Sequence, residues 1–202
     1  MKKLLVAILA SCISLTGLAI DYHVAPTDAS PAGSDSNPGT AEAPFATIAK
    51  AITTANAAIE GGESGATIHL ADGTYTEYNL TLAKAITVKS LSGNRDSVIV
   101  QANTSARGTT GRRVFFISSD DAVVADITIR YGCWTTKGSG TDNGYNGGNI
   151  RMSAGMVTNC VVAQGMSSRP WTPRSRARWA ATSTWSAAPW WTATYWTVRS
   201  TT

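Results

Sequence analysis

Residues 67–162 alternate short apolar, β-branched runs with polar turns that carry glycine. The runs occupy residues 67–70, 80–82, 86–88, 98–100, 114–117, 126–129 and 157–162. Each is too short for a helix and rich in Val, Ile and Thr, which suit a pleated, half-buried surface, so each predicts a strand. No helical period intervenes to build βαβ crossovers. The pattern therefore predicts an all-β coil of short strands, a solenoid with a long exposed surface. A β-sandwich is the alternative that short strands also allow.

Ahead of these runs the pattern changes twice. Residues 22–40 form a polar strip in which Asp28, Pro31, Gly33, Asp35, Asn37, Pro38 and Gly39 offer turns and no hydrophobic period. Pro44 then opens an amphipathic segment with Phe45, Ile48, Ile52, Ala55 and Ile59 on one helical face, and Gly61-Gly62 stops it. So alanine-rich a helix needs a surface to cover. The uncapped first turn of a strand stack is the expected partner.

The two ends differ from the body. Residues 1–19 predict an export signal: Lys2 and Lys3, a mostly apolar stretch over 4–18, and small residues at Gly17-Leu18-Ala19. That stretch is short and broken by Ser and Thr, so no transmembrane span is expected. Leu9-Ala10-Ser11-Cys12 resembles a bacterial lipobox, which makes lipid anchoring at Cys12 the alternative to free secretion. The formal net charge of +4 also belongs to the ends. Residues 20–166 hold 10 basic and all 13 acidic side chains. With no basic face in the body, a nucleic-acid partner is not expected.

From about Ser167 the chain holds six of its seven tryptophans, five arginines and no acidic residue. A disordered tail is expected there, although such segments are usually poor in Trp. A sharper expectation is translation out of frame. Codons built from the third base of one residue and the first two of the next are partly forced by the genetic code. Trp179-Ala180 must encode Gly, Trp190-Trp191 Val, Trp191-Thr192 Asp, Tyr195-Trp196 Leu and Trp196-Thr197 Asp. Thr184-Trp185, Pro189-Trp190 and Thr194-Tyr195 can encode only aliphatic residues or Met. The remaining pairs permit Gly-Gly-Asp-Val-Tyr-Met-Glu-Arg-Gly-Thr-Val-Val-Asp. Its glycines, apolar positions and final acid match the visible run over residues 147–159. A frame break near residues 163–168 is expected, with the chain a truncated front piece of a longer repeat protein.

Particular residues carry a family resemblance. Tyr22-His23-Val24, then residues 33–40, then Pro44-Phe45-Ala46-Thr47-Ile48 and Ala51 resemble the opening segment of secreted right-handed parallel β-helix proteins of the pectate-lyase-like superfamily. Residues 68–75, with Asp72-Gly73-Thr74-Tyr75 as a turn, resemble a first coil. Ile86-Thr87-Val88 with Val98-Ile99-Val100 resemble the next, and residues 126–132 and 147–162 later rungs. The resemblance spans residues 22–163. With the readings of the two ends, it gives a signal over 1–19, an opening segment and capping helix over 20–66, parallel β-helix coils over 67–163, and a disordered, out-of-frame tail over 164–202.

It also implies candidate chemistry, because members that cleave acidic polysaccharides by β-elimination use Ca2+ held by carboxylates, with a Lys or Arg as base. Asp120, Asp121, Asp126, Asp142 and Asn143 are candidate ligands, or else a solvated corner before a strand at Val123. Asp28, Asp35 and Asn37 are either ion ligands or turn residues. Lys84, Lys89, Arg112, Arg113 and Arg130 are the available bases, with solvated surface as the ordinary reading. His23 and His69 are isolated in sequence, and strand parity puts His69 opposite Ile68 and Leu70. Cys133 and Cys160 either pair in an oxidising compartment or sit free in the core. Tyr75, Tyr78, Tyr131, Trp134 and Tyr145 can stack on sugars, the last three around a loop over 132–146, or simply pack there.

No nucleophile elbow, phosphate loop or zinc spacing appears. Catalytic and metal residues therefore stay unassigned. The expected function is a non-catalytic exported module associated with extracellular polysaccharide. A polysaccharide lyase or hydrolase of the same fold and an inactive truncated product are the alternatives.

Overall fold

A computed structural model describes residues 19–105, 111–134, 148–167, 179–180 and 194–200. Strand β1 (Ala19–Val24) leads to helix α1 (Ile48–Glu60), after which strands return in sets. β2 (Gly65–Leu70), β3 (Gly73–Thr76) and β4 (Leu80–Leu82) make the first set. β5 (Ile86–Ser90), β6 (Val98–Gln101) and β7 (Phe115–Ile117) make the second. β8 (Val123–Ala125), β9 (Thr128–Arg130), β10 (Cys133–Trp134) and β11 (Ile150–Met152) follow, then β12 (Met156–Ala163) and β13 (Met166–Ser167).

Each strand pairs in parallel with its counterpart in the next set. β1, β2, β5, β8 and β12 form one row, β3, β6, β9 and β12 a second, and β4, β7 and β11 a third. The predicted runs supply β2, β4, β5, β6, β7, β9 and β12, whereas β1 and β3 lie in stretches read as signal end, polar strip and turn. The molecule is thus mostly strands in parallel sheets with one short helix.

Registration puts like side chains above like. Tyr22, Ile68, Val88, Val124 and Val157 form one buried column. Leu80, Phe115 and Ile150 form another, and Leu82, Ile117 and Met152 a third. Parallel strands covered on their inner face favour such aliphatic stacks, and each buried side chain of this size stabilises the fold by about 1.5–3 kcal/mol. Corners use left-handed backbone. Asp126 (φ 57°) turns the chain between β8 and β9, and Asn159 (φ 48°) makes the same bend inside β12, which lets that one strand join two rows.

The structure corrects several sequence expectations. The polar strip does not begin at Tyr22, because residues 22–24 finish β1 and bury Tyr22 and Val24. Asp72-Gly73-Thr74-Tyr75 is not simply a turn: Gly73–Thr76 is a strand on β6, and a Cβ at Gly73 would sit 2.5 Å from Pro26. Asp126 and Ile127 lie outside the strand assigned to them, since the left-handed corner interrupts it. Phe45 lies ahead of α1, in a bridge to Val24 and buried. Thr47 is the N-cap.

Helix α1 packs Ile48, Ala51, Ile52 and Ala55 onto β1, β2 and β4. Its amino terminus is fully satisfied. Asp35 accepts from Ala46 N (3.0 Å), Thr47 N (2.9 Å) and Thr47 Oγ1 (2.9 Å). Glu77 accepts from Ile48 N (2.8 Å) and Ala49 N (2.9 Å), and Thr47 Oγ1 accepts from Lys50 N (3.1 Å). Helix starts need such acceptors because their first amides lack intrahelical partners.

The described part of the tail also departs from the expected disorder. β14 (Trp179–Ala180) pairs antiparallel with β15 (Thr194–Ser200), and β15 runs antiparallel along β12. The reason is an open edge: β12 offers unpaired backbone groups on the side away from β8 and β9, and a Thr- and aromatic-rich segment fills it. Residues 1–18, including Cys12, lie outside the described residues, as do most of the tail tryptophans.

Candidate functional site

Side chains that alternate out of the rows meet their counterparts one strand away, so the outer surface is a set of columns. On the first row His23, His69 and Lys89 share one column and Asp21, Thr67 and Thr87 the next. The histidines, isolated in sequence, stack with ring centroids 5.0 Å apart. His69 Nε2 lies 3.0 Å from Asp21 Oδ1. Burial and the neighbouring His69 push the His23 pKa below the ordinary imidazole value, with Asp21 and Glu42 pulling the other way. The pairing depended on strand register, which sequence parity alone does not supply.

On the second row Gln101 Nε2 donates to Thr76 Oγ1 (3.1 Å) and Arg130 Nε donates to Gln101 Oε1 (3.0 Å). The Arg130 guanidinium also lies 4.7 Å from the centroid of the Tyr131 ring. Around the third row the same contact recurs. Arg112 lies 4.5 Å from the Tyr78 ring, Arg113 4.3 Å from Trp134, and Arg151 5.1 Å from Phe116, its partner across β11 and β7. Arg113 is only 4 % exposed, so its stack on Trp134 is interior packing, whereas Tyr78 is 45 % exposed.

Arginine over an aromatic face keeps its planar donors oriented and loses little of its hydration in doing so. Set beside an exposed ring, such donors suit a sugar that carries an anionic group. The candidate site is therefore the set of outer pairs Arg112–Tyr78, Arg130–Tyr131 and Arg151–Phe116. Phe116 and Arg151 were missed from sequence, because their pairing exists only once β11 registers on β7.

The other candidate residues are dispersed. Asp120 and Asp121 are exposed in the turn before β8. Asp126 accepts from Asn159 Nδ2 (2.6 Å), whose Oδ1 accepts from Arg95 (2.6 Å), so it braces a corner. Asp35 caps α1, and Asn37 Nδ2 donates to Pro44 O (2.9 Å). Asp28 and Glu77 border a shallow groove of about 410 Å³ with Thr27, Thr47, Thr74 and Thr76, but Glu77 is engaged by the helix. Asp142, Asn143 and Tyr145 lie outside the described residues.

Calcium takes six to eight oxygens at one point. Among the described residues no three of His, Cys, Asp or Glu converge, so the described carboxylates form no such site. Lys84 pairs with Glu60 (2.7 Å). Tyr75 is buried and donates to Ala71 O (2.7 Å) and Val24 O (3.2 Å), which removes it from the sugar-stacking set. Cys133 and Cys160 are both free and buried. Burial pushes the Cys160 thiol up to about 11, so it stays protonated at neutral pH.

Fold and surface together define a β-rich protein of registered parallel strands with a short helix packed on its first strands. A family model described as "Protein of unknown function (DUF1565)" matches residues 31–97, a domain associated with parallel β-helix proteins in general. The match covers the opening strip, α1 and the strands through β5. Neither a curated protein nor a solved structure matches the chain. No helix among the described residues is long and apolar enough to cross a membrane.

Proposed function

We propose that this chain is part of an exported right-handed parallel β-helix protein whose outer face holds extracellular acidic polysaccharide without cleaving it. The observation that carries the reading is the recurrence of arginine over an aromatic face at Tyr78, Tyr131 and Phe116, beside the second and third rows. An extended polymer needs repeated, similar contacts, and three arginine–aromatic pairs along one strand stack offer them. Arginine recognises carboxylate or sulfate through paired donors, while ring faces accept sugar C–H surfaces. Affinity in such a site comes from several weak contacts in series and falls with added salt.

Affinity electrophoresis through gels containing polygalacturonate tests this. The wild-type chain should be retarded, less so at high salt. Arg112→Ala should weaken retention by up to about fivefold, the loss expected for one solvent-exposed ion pair with the polymer's carboxylates. Migration indifferent to the polymer would sink the reading. Unsaturated uronic ends appearing in the same mixture would replace it with a lyase. Export is tested separately, by finding the chain outside the cytoplasm without residues 1–19.

A further inference from the structure

We infer that the far end of the strand stack is built to receive one further coil, and that residues 179–198 are the wrong-frame translation of the gene segment encoding it. The inference rests on the coil reading above and not on the polysaccharide. Three independent observations carry it.

The first is the state of that end. Ile150, Met152 and Val162 belong to the last rungs and are only partly buried against the core, while their counterparts one set back, Phe115, Ile117 and Ile129, are fully buried. Another rung would complete their burial. Every pairing among β1–β13 is parallel, yet the strand lying on β12 is antiparallel, out of keeping with the rule of the stack.

The second is period. Thirty-three positions separate Asp126 from Asn159, and also Tyr131 from Gln164, four left-handed corners that stack in pairs. Once one base is inserted, the hidden codons fall 33 positions after the visible coil, the same period.

The third is a match between what the structure demands at each position and what the code forces. At Met152 and Val157, which face inward, the hidden codons can encode only aliphatic residues or Met. At Val162, packed against the core, the codon from Thr194-Tyr195 is aliphatic. At Asn159 (φ 48°) and Gln164 (φ 50°), where few side chains tolerate left-handed backbone, Trp191-Thr192 and Trp196-Thr197 both encode Asp. Asp is among the residues enriched there. The corner at Gln164 adds to the earlier alignment a position that composition alone would not single out.

The structure also sets demands that the code permits without forcing. Gly155 has φ 83°, and a Cβ there would lie 2.6 Å from Ala122 O; at Gly148 a Cβ would lie 2.3 Å from Met166 O. Their counterparts must be Gly, which requires that the codons of Ala187 and Ala180 both end in G. The counterpart of Ile150 must be apolar, which requires a TCN codon for Ser183, because AGT or AGC gives Lys, Gln, Glu or a stop.

Reading the gene's nucleotides at these three codons decides the matter. G, G and TCN support the inference; any other base at Ala187 or Ala180, or an AGT or AGC codon at Ser183, overturns it. A second arm expresses the chain with one base inserted between codons 163 and 168. Amide exchange over residues 156–163 should slow by about tenfold or more, as expected when a frayed end becomes interior. Unchanged exchange would overturn the docking of a coil on this edge. Neither result depends on glycan binding, so the two readings fail separately.

Discussion

Glu77 shows how one side chain ties distant parts of the chain together. It sits after β3, yet its carboxylate holds two amides of α1, 29 and 28 residues earlier. Burial raises its pKa above the usual carboxylate value, against the lowering effect of those two amide bonds. An acid whose folded pKa is raised contributes fully below its unfolded pKa and loses that contribution as pH rises through the folded pKa. Relative to wild type, Glu77→Gln should therefore gain stability as pH rises from just below the carboxylate range to neutrality. Urea midpoints for both proteins at several pH values check this, and a relative loss over that range would contradict it. No pattern in the sequence marked Glu77, because its role exists only once β3 and the helix start are adjacent.

Helix α1 is an element whose position was legible and whose boundaries were not. The spacing of Ile48, Ile52, Ala55 and Ile59 revealed its face, while Phe45, equally well spaced, belongs to a bridge with Val24. Local periodicity cannot tell a first helical turn from an extended residue that happens to share its offset. The difference is made by Asp35, eleven to twelve residues upstream, which captures the amides of Ala46 and Thr47. Asp35→Ala removes three hydrogen bonds and should cost about 1–2 kcal/mol, the usual range for a lost N-terminal cap. Chemical denaturation measures it. A change within experimental error would mean that water replaces the carboxylate without loss.

For the whole molecule, stability lies in the columns. Ile68 is completely buried between Tyr22 and Val88, so Ile68→Ala should cost about 2–5 kcal/mol and Ile68→Val about 0.5–1.5 kcal/mol. Thr87, on the outer face of the neighbouring strand, should tolerate Ala within about 0.5 kcal/mol. Equilibrium unfolding of the three variants tests the assignment of inner and outer faces, and equal costs at Ile68 and Thr87 would refute it.

Runs of Val, Ile and Thr determined by themselves that strands would form and roughly where, since β-branched side chains restrict the local backbone wherever they occur. Parity likewise determined which residues of β2 and β5 face inward. Only tertiary structure decided register, and with it the stacking of His23 on His69, the seating of Arg151 on Phe116, and the use of Asp126 as a corner brace instead of a ligand. Those contacts join residues 33–46 positions apart. Their existence depends on how many residues each intervening corner and loop consumes, a quantity that no short window of sequence contains.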